Sequence, residues 1–119
     1  KTEGFLAAAK RIIIESRFLQ FVTRKLLEFN FTVFQTKQAP FDFVAKTPGN
    51  KTSLLGAVAY EKERDFEIRT EEIVSISKVV EAQPIFVTSS KKISIDNVPL
   101  INREDLEKIK CHEELMAKL

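Results

Sequence analysis

The residues best suited to chemistry in this chain are ionisable groups at helical spacing near its start. Lys10, Arg17 and Arg24 recur at i, i+7 and i+14, so on a helix they share one narrow arc and present a row of positive charge. Such a row can track a phosphate backbone, each contact adding salt-dependent affinity that is indifferent to base sequence. The same row is also how an ordinary solvated helix face reads. Glu15 lies on the other side, at the centre of an apolar stripe between Ile12 and Leu19, where a carboxylate is costly unless something pairs it. A bend that lets Glu15 reach solvent or an arginine is the plain alternative. Cys111 and His112 are neighbours, but adjacent helical residues diverge by about 100°, which suits a nucleophile and its base poorly. One Cys and one His exclude an internal disulfide and a structural zinc site. With no glycine-rich phosphate loop and no Gly-x-Ser-x-Gly elbow, nucleotide hydrolysis and α/β-hydrolase chemistry have no support, and no nucleotide cofactor is expected.

These side chains need elements to hold them. From Glu3 to Phe29 there is no Pro and no Gly after Gly4, and Phe5, Ala8, Ile12, Leu19, Val22 and Leu26 fall on one face, which predicts a long first helix. Asn30 tolerates the left-handed conformation that ends helices. Phe31 to Gln35, Phe41 to Ala45 and Ser53 to Tyr60 read as three strands of a meander, the last after the turn signal Pro48-Gly49-Asn50. Residues 61–65 are charged and read as a solvated connection. Thr70 is placed to cap a second helix through Ala82, with Ile73, Ile76, Val79 and Val80 as its apolar stripe. Pro84 to Thr88 reads as a buried strand. A short strand near Ile93 to Ile95 or Val98 to Ile101 follows, and Asn102 caps a last helix with Leu106, Ile109 and Leu115 inward. Strands joined through a helix favour parallel pairing, so the sheet is expected to be mixed.

The order α-β-β-β-α-β, with Pro40-Phe41-Asp42 entering the second strand, resembles the restriction-endonuclease-like nuclease fold. The resemblance implies a three-layer α/β domain, an α-β-α core around a mixed sheet, followed here by a C-terminal helix. It also implies that an Asp of the second strand and an acid-x-Lys triplet of the third hold a divalent metal, often with a Glu from the first helix. Clustered carboxylates bind a hard cation, and the lysine polarises the attacking water. Carried over residue by residue, the nuclease alternative uses Glu15, Asp42 and Glu61 with Mg2+. The third strand departs from the pattern: Leu55, Ala57 and Ala59 share one face and Gly56, Val58 and Tyr60 the other, with no acid or lysine on either. With Ala57 and Ala59 standing in place of the triplet, no catalytic or metal site is favoured.

A narrower resemblance rests on Phe41-Asp42-Phe43-Val44-Ala45-Lys46, on Glu71-Glu72-Ile73, on Ala82-Gln83-Pro84-Ile85-Phe86-Val87 and on Val98 to Leu106. These strings look like the amino-terminal domain of archaeal helix-turn-helix transcriptional regulators, over roughly residues 31–109. The implied function is that of a non-catalytic, nuclease-fold module contributing DNA association, dimerisation or both. That family generally keeps a lysine in the third strand and carries its helix-turn-helix farther along, and this sequence has neither. A pure protein-interaction domain is the third reading.

Composition bounds all three. The 119 residues, 44% hydrophobic and 30% charged, suit one domain spanning 1–119, and a start at Lys1 without Met is read as that of a fragment or one domain of a longer protein. The net charge of +2 averages unlike halves: nine basic against four acidic residues up to Tyr60, ten against thirteen after it. No run approaches the ~18 apolar residues of a membrane span, so no membrane partner is expected. A single cysteine fits a cytoplasmic location. Phe18, Phe21, Ile13 and Ile14 lie off the main stripe of the first helix, which points to a homodimer through that helix or to a second layer of the same domain.

Overall fold

The computed structural model describes residues 2–36, 40–60, 64–90, 92–95 and 98–119. Its elements run α1 (Thr2–Glu28), β1 (Thr32–Gln35), β2 (Phe43–Lys46), β3 (Ser53–Ala59), α2 (Arg64–Val80), β4 (Gln83–Thr88), β5 (Ile101–Asn102), α3 (Arg103–Lys108) and α4 (His112–Ala117). The strands lie in that order in one mixed sheet, antiparallel from β1 to β3 and parallel from β3 to β5. This is the α/β class and the mixed pairing that the alternation of strands and helices predicts. No helix among the described residues is long and apolar enough to cross a membrane.

Side-chain alternation along the strands divides the core. Phe43, Ala45, Leu54, Ile85 and Val87 turn to one face and pack with Phe18, Val22 and Leu26 of α1 and with Leu106 and Leu115 of α3 and α4. Leu55, Ala57, Ala59 and Phe86 turn to the other and pack with Phe66 and Ile73 of α2. Helices therefore cover both faces of the sheet. Gly56 sits opposite Phe43, and a Cβ at Gly56 would overlap the tip of the Phe43 ring, so glycine leaves the space that this buried ring occupies against β3.

Several local signals act as expected. Asn30 ends α1 at φ +68°, Gly49 and Asn50 turn the chain at φ +85° and +57°, and Asn102 Oδ1 accepts the Asp105 N–H at 2.9 Å to cap α3. Three expectations are corrected. The second helix begins at Arg64, not Thr70, because Phe66 lies seven residues before Ile73 and is drawn in against Phe86. Thr70 is fully buried in mid-helix, its hydroxyl donating to the Glu67 carbonyl at 2.7 Å. The single last helix is two, broken where Ile109 turns extended (ψ 134°) to stay in the core, with the Lys110 N–H donating to Glu114 Oε2.

Helix α1 buries a face centred on Phe18, Val22 and Leu26, continued by Phe29 just past its end and rotated toward Phe18 relative to the predicted stripe, and Leu19 is left half-buried. At 1.5 Å per residue its 27 residues span about 40 Å, close to the 49 Å long axis of a body otherwise 28 × 26 Å. Every described side chain buried from α1 comes from Phe18 onward.

Candidate functional site

The chain reaches β2 through an irregularity. Phe43 is the residue opposite Gly56, yet the Asp42 N–H also donates to the Gly56 carbonyl at 2.7 Å, so two residues face one. Such a bulge breaks side-chain alternation and re-aims the extra residue. Asp42 thereby sends its carboxylate across to β3, where Oδ2 accepts the Val58 N–H at 2.9 Å.

The same oxygen accepts from the Arg69 guanidinium of α2 at 2.8 Å, and Arg69 Nε donates to the Pro40 carbonyl at 2.8 Å. Arg69 thus grips both ends of the Pro40-Phe41-Asp42 segment. Both charged side chains keep about a quarter of their surface exposed, 27% for Asp42 and 26% for Arg69. Charge-assisted bonds of this kind are the strong ones, and the geometry makes Asp42 a structural clamp among three elements.

Glu15 and Asp42, which the sequence expectation brings together, do line one cavity of about 200 Å³, with Ser16, Leu19, Val58, Ala59, Tyr60 and Arg69. Glu15 comes from the buried side of α1; the residue is half-buried and its Oε1 is shielded from solvent. Glu61 lies outside the described residues. The β3 face toward α1 carries Val58 and Tyr60, whereas Ala57 and Ala59 look toward α2. The β3 residues that line the cavity with Glu15 are Val58 and Ala59, with Tyr60 just after them, and none of the three is an acid or a lysine. Among the described residues, no three His, Cys, Asp or Glu side chains converge as ligands for a metal ion.

Lys10, Arg17 and Arg24 are all exposed, as a charged row on the outer face of α1 requires. Leu6 lies in that arc, Ile13 and Ile14 flank it, and all three are exposed, so positive charge sits among aliphatic surface. Arg17 borders a second cavity of about 290 Å³ with Phe18, Phe21, Tyr60 and Arg103. The Arg103 guanidinium stacks 4.7 Å above the Phe21 ring centroid while its Nε donates to Glu107 Oε1 at 3.1 Å. Sequence reasoning placed Arg103 only at a helix start; nothing local announces its meeting with α1. Phe18 is buried and Phe21 half-buried beneath Arg103, so α3 and the domain's own core cover the aromatic surplus of α1, leaving Ile13 and Ile14 outside.

At the far end, His112 Nε2 lies 3.3 Å from Glu113 Oε1 and its ring makes a T-shaped contact with Phe31. The Glu113 carboxyl is held below its ordinary value, first by a hydrogen bond from the Cys111 side chain and then by His112.

Three relatives share this sequence pattern. The chain is 28% identical over 103 residues to a "Putative HTH-type transcriptional regulatory protein" of Thermococcus gammatolerans, covering 86% of this chain and 32% of the relative. It is 32% identical over 94 residues to the protein of that name from Pyrococcus furiosus, covering 77% of this chain and 30% of the relative. It is 28% identical over 96 residues to the Pyrococcus horikoshii counterpart, covering 80% and 30%. The chain spans about a third of the length of these curated relatives. No family model matches it, and no solved structure does.

Proposed function

We propose that this chain is a non-catalytic module of a transcriptional regulator, built on the restriction-endonuclease-like fold and contributing DNA association and dimerisation. The observation that carries the loss of catalysis is the Asp42 clamp. The carboxylate that would hold a cation is instead bonded to Arg69 and to the Val58 N–H, and the segment beside it offers Val58, Ala59 and Tyr60. A hard cation asks for several oxygen donors free to turn toward it. Here a fixed positive charge already occupies the flank of Asp42, so the donor set fits Mg2+ poorly. The regulator reading is supported by the names of the archaeal relatives.

DNA association is assigned to the outer face of α1, where Lys10, Arg17 and Arg24 form a row and Arg103 adds a charge beside Arg17. Contacts of this kind position a protein on the duplex without reading bases. The nuclease alternative, with Glu15, Asp42 and Glu61, is favoured by one fact, that Glu15 and Asp42 line a common cavity.

The test is duplex binding followed by fluorescence anisotropy across a salt series. Reversing Lys10, Arg17 and Arg24 to Glu should weaken binding and flatten the log K against log salt slope by about 0.9 per lost contact. An unchanged slope refutes the assignment and favours a protein-interaction domain. Mg2+-dependent cleavage that disappears in Asp42→Ala would establish the nuclease instead.

A further inference from the structure

We infer that β1 is the surface through which two copies of this chain associate, strand to strand and antiparallel about a two-fold axis at Phe34. The inference rests on the dimerising role proposed above and names its surface.

β1 is an outer strand of the sheet. The Thr36 N–H donates to the Asp42 carbonyl at 3.1 Å, which places a hydrogen-bonded rung at Thr36. Rungs in an antiparallel ladder recur at every second residue, so Phe34 and Thr32 also point their backbone groups at β2. Val33 and Gln35 then point theirs outward, and edge groups of this kind template pairing with another strand.

Natural edges are usually defended by charge or by Pro, and Phe31 to Thr36 contains neither. At its middle, Phe34 is 57% exposed on the α2 side of the sheet, where α2 covers β3 and β4 rather than β1.

The occupant follows from parity. In an antiparallel pair of identical edges, the register that sets Val33 opposite Gln35 of the second copy uses both outward residues of each strand and forms four hydrogen bonds. That register also sets Phe34 directly opposite Phe34 of the second copy, in a position where side chains approach closely. One arrangement thus satisfies the open backbone groups and buries the exposed ring.

Charge argues for the strand over the helix. Self-contact through the outer face of α1 would bring Lys10, Arg17 and Arg24 of two copies together, whereas β1 carries no charge to repel itself. A contact of a few residues buries well under the ~1,200 Å² of a standard interface, so the dimer is weak and concentration-dependent.

Sedimentation velocity over about 5 to 500 μM, with amide exchange by NMR, tests this. The expected result is a dimer that grows with concentration, in which the Val33 and Gln35 amides gain protection while the Phe34 amide is protected throughout. Phe34→Lys and Gln35→Pro should each raise the dissociation constant at least ~10-fold with unchanged circular dichroism. A monomer at every concentration, a dimer that survives both substitutions, or one dispersed by Ile13→Glu instead overturns the proposal. A monomer that still binds DNA removes edge pairing and leaves the regulator reading standing; an intact dimer without DNA binding does the reverse.

Discussion

Replacing Asp42 by Ala removes the acceptor of the Val58 N–H at 2.9 Å and the partner of the Arg69 guanidinium at 2.8 Å in one step. Hydrogen bonds to a charged group contribute about 1.5–3 kcal/mol each, and because both side chains are about one-quarter exposed, water replaces part of what is lost. Taking the lower end for each bond gives a loss of about 3 kcal/mol, equivalent to about 10 °C in Tm for a domain of this size. Arg69→Ala keeps the Val58 bond but gives up the Pro40 contact, and should cost about 2 kcal/mol. The two changes share one interaction, so the double variant should be more stable than the sum predicts, with a coupling of about 1–2 kcal/mol. Urea denaturation of the four proteins measures all three quantities. A carboxylate kept for catalysis behaves differently, because functional sites often sacrifice stability and their removal can leave a protein unharmed or firmer. Asp42→Ala within about 0.5 kcal/mol of the parent, or a coupling near zero, would refute the view that the Asp42 clamp is structural.

Two further outcomes follow from packing. Gly56→Ala pushes a methyl into the Phe43 ring, which has no exposed surface into which to move; it should cost about 1–3 kcal/mol in urea melts and be partly relieved by adding Phe43→Leu. On α1, Phe18→Ala should cost about 3–5 kcal/mol and Ile13→Ala less than about 0.5, because Phe18 is buried and Ile13 half-exposed. Equal losses at the two positions in thermal melts would show that the helix presents a different face to the sheet.

Much of the architecture was legible because its causes are local. Asn30 ends α1 with its own left-handed backbone, Gly49 and Asn50 turn the hairpin, and Asn102 caps the helix that it immediately precedes. Ser53 to Tyr60 was legible as a strand, and the burial of both its faces came with the helices packed on either side. The misread boundary of α2 had a different origin. Residues 64–69 are mostly charged and look solvated in isolation, and they become helix because Phe66 finds Phe86 across the second core.

The candidate site divides along the same line. Periodicity alone placed Glu15 on the buried side of α1 and Lys10, Arg17 and Arg24 on the exposed side, since helical geometry sets the angle between residues whatever surrounds them. A bulge opposite Gly56 aims the Asp42 carboxylate at β3, which no strand period announces. The partner of Asp42 is Arg69, 27 residues away on a helix beneath the sheet, and the ring under Arg103 belongs to a helix at the other end of the chain. Sequence by itself determined which residues were charged, which faces they shared and where the chain turned. Tertiary structure alone decided which charges met and which strand face looked at Glu15, because those depend on contacts between segments that propensity and period do not relate.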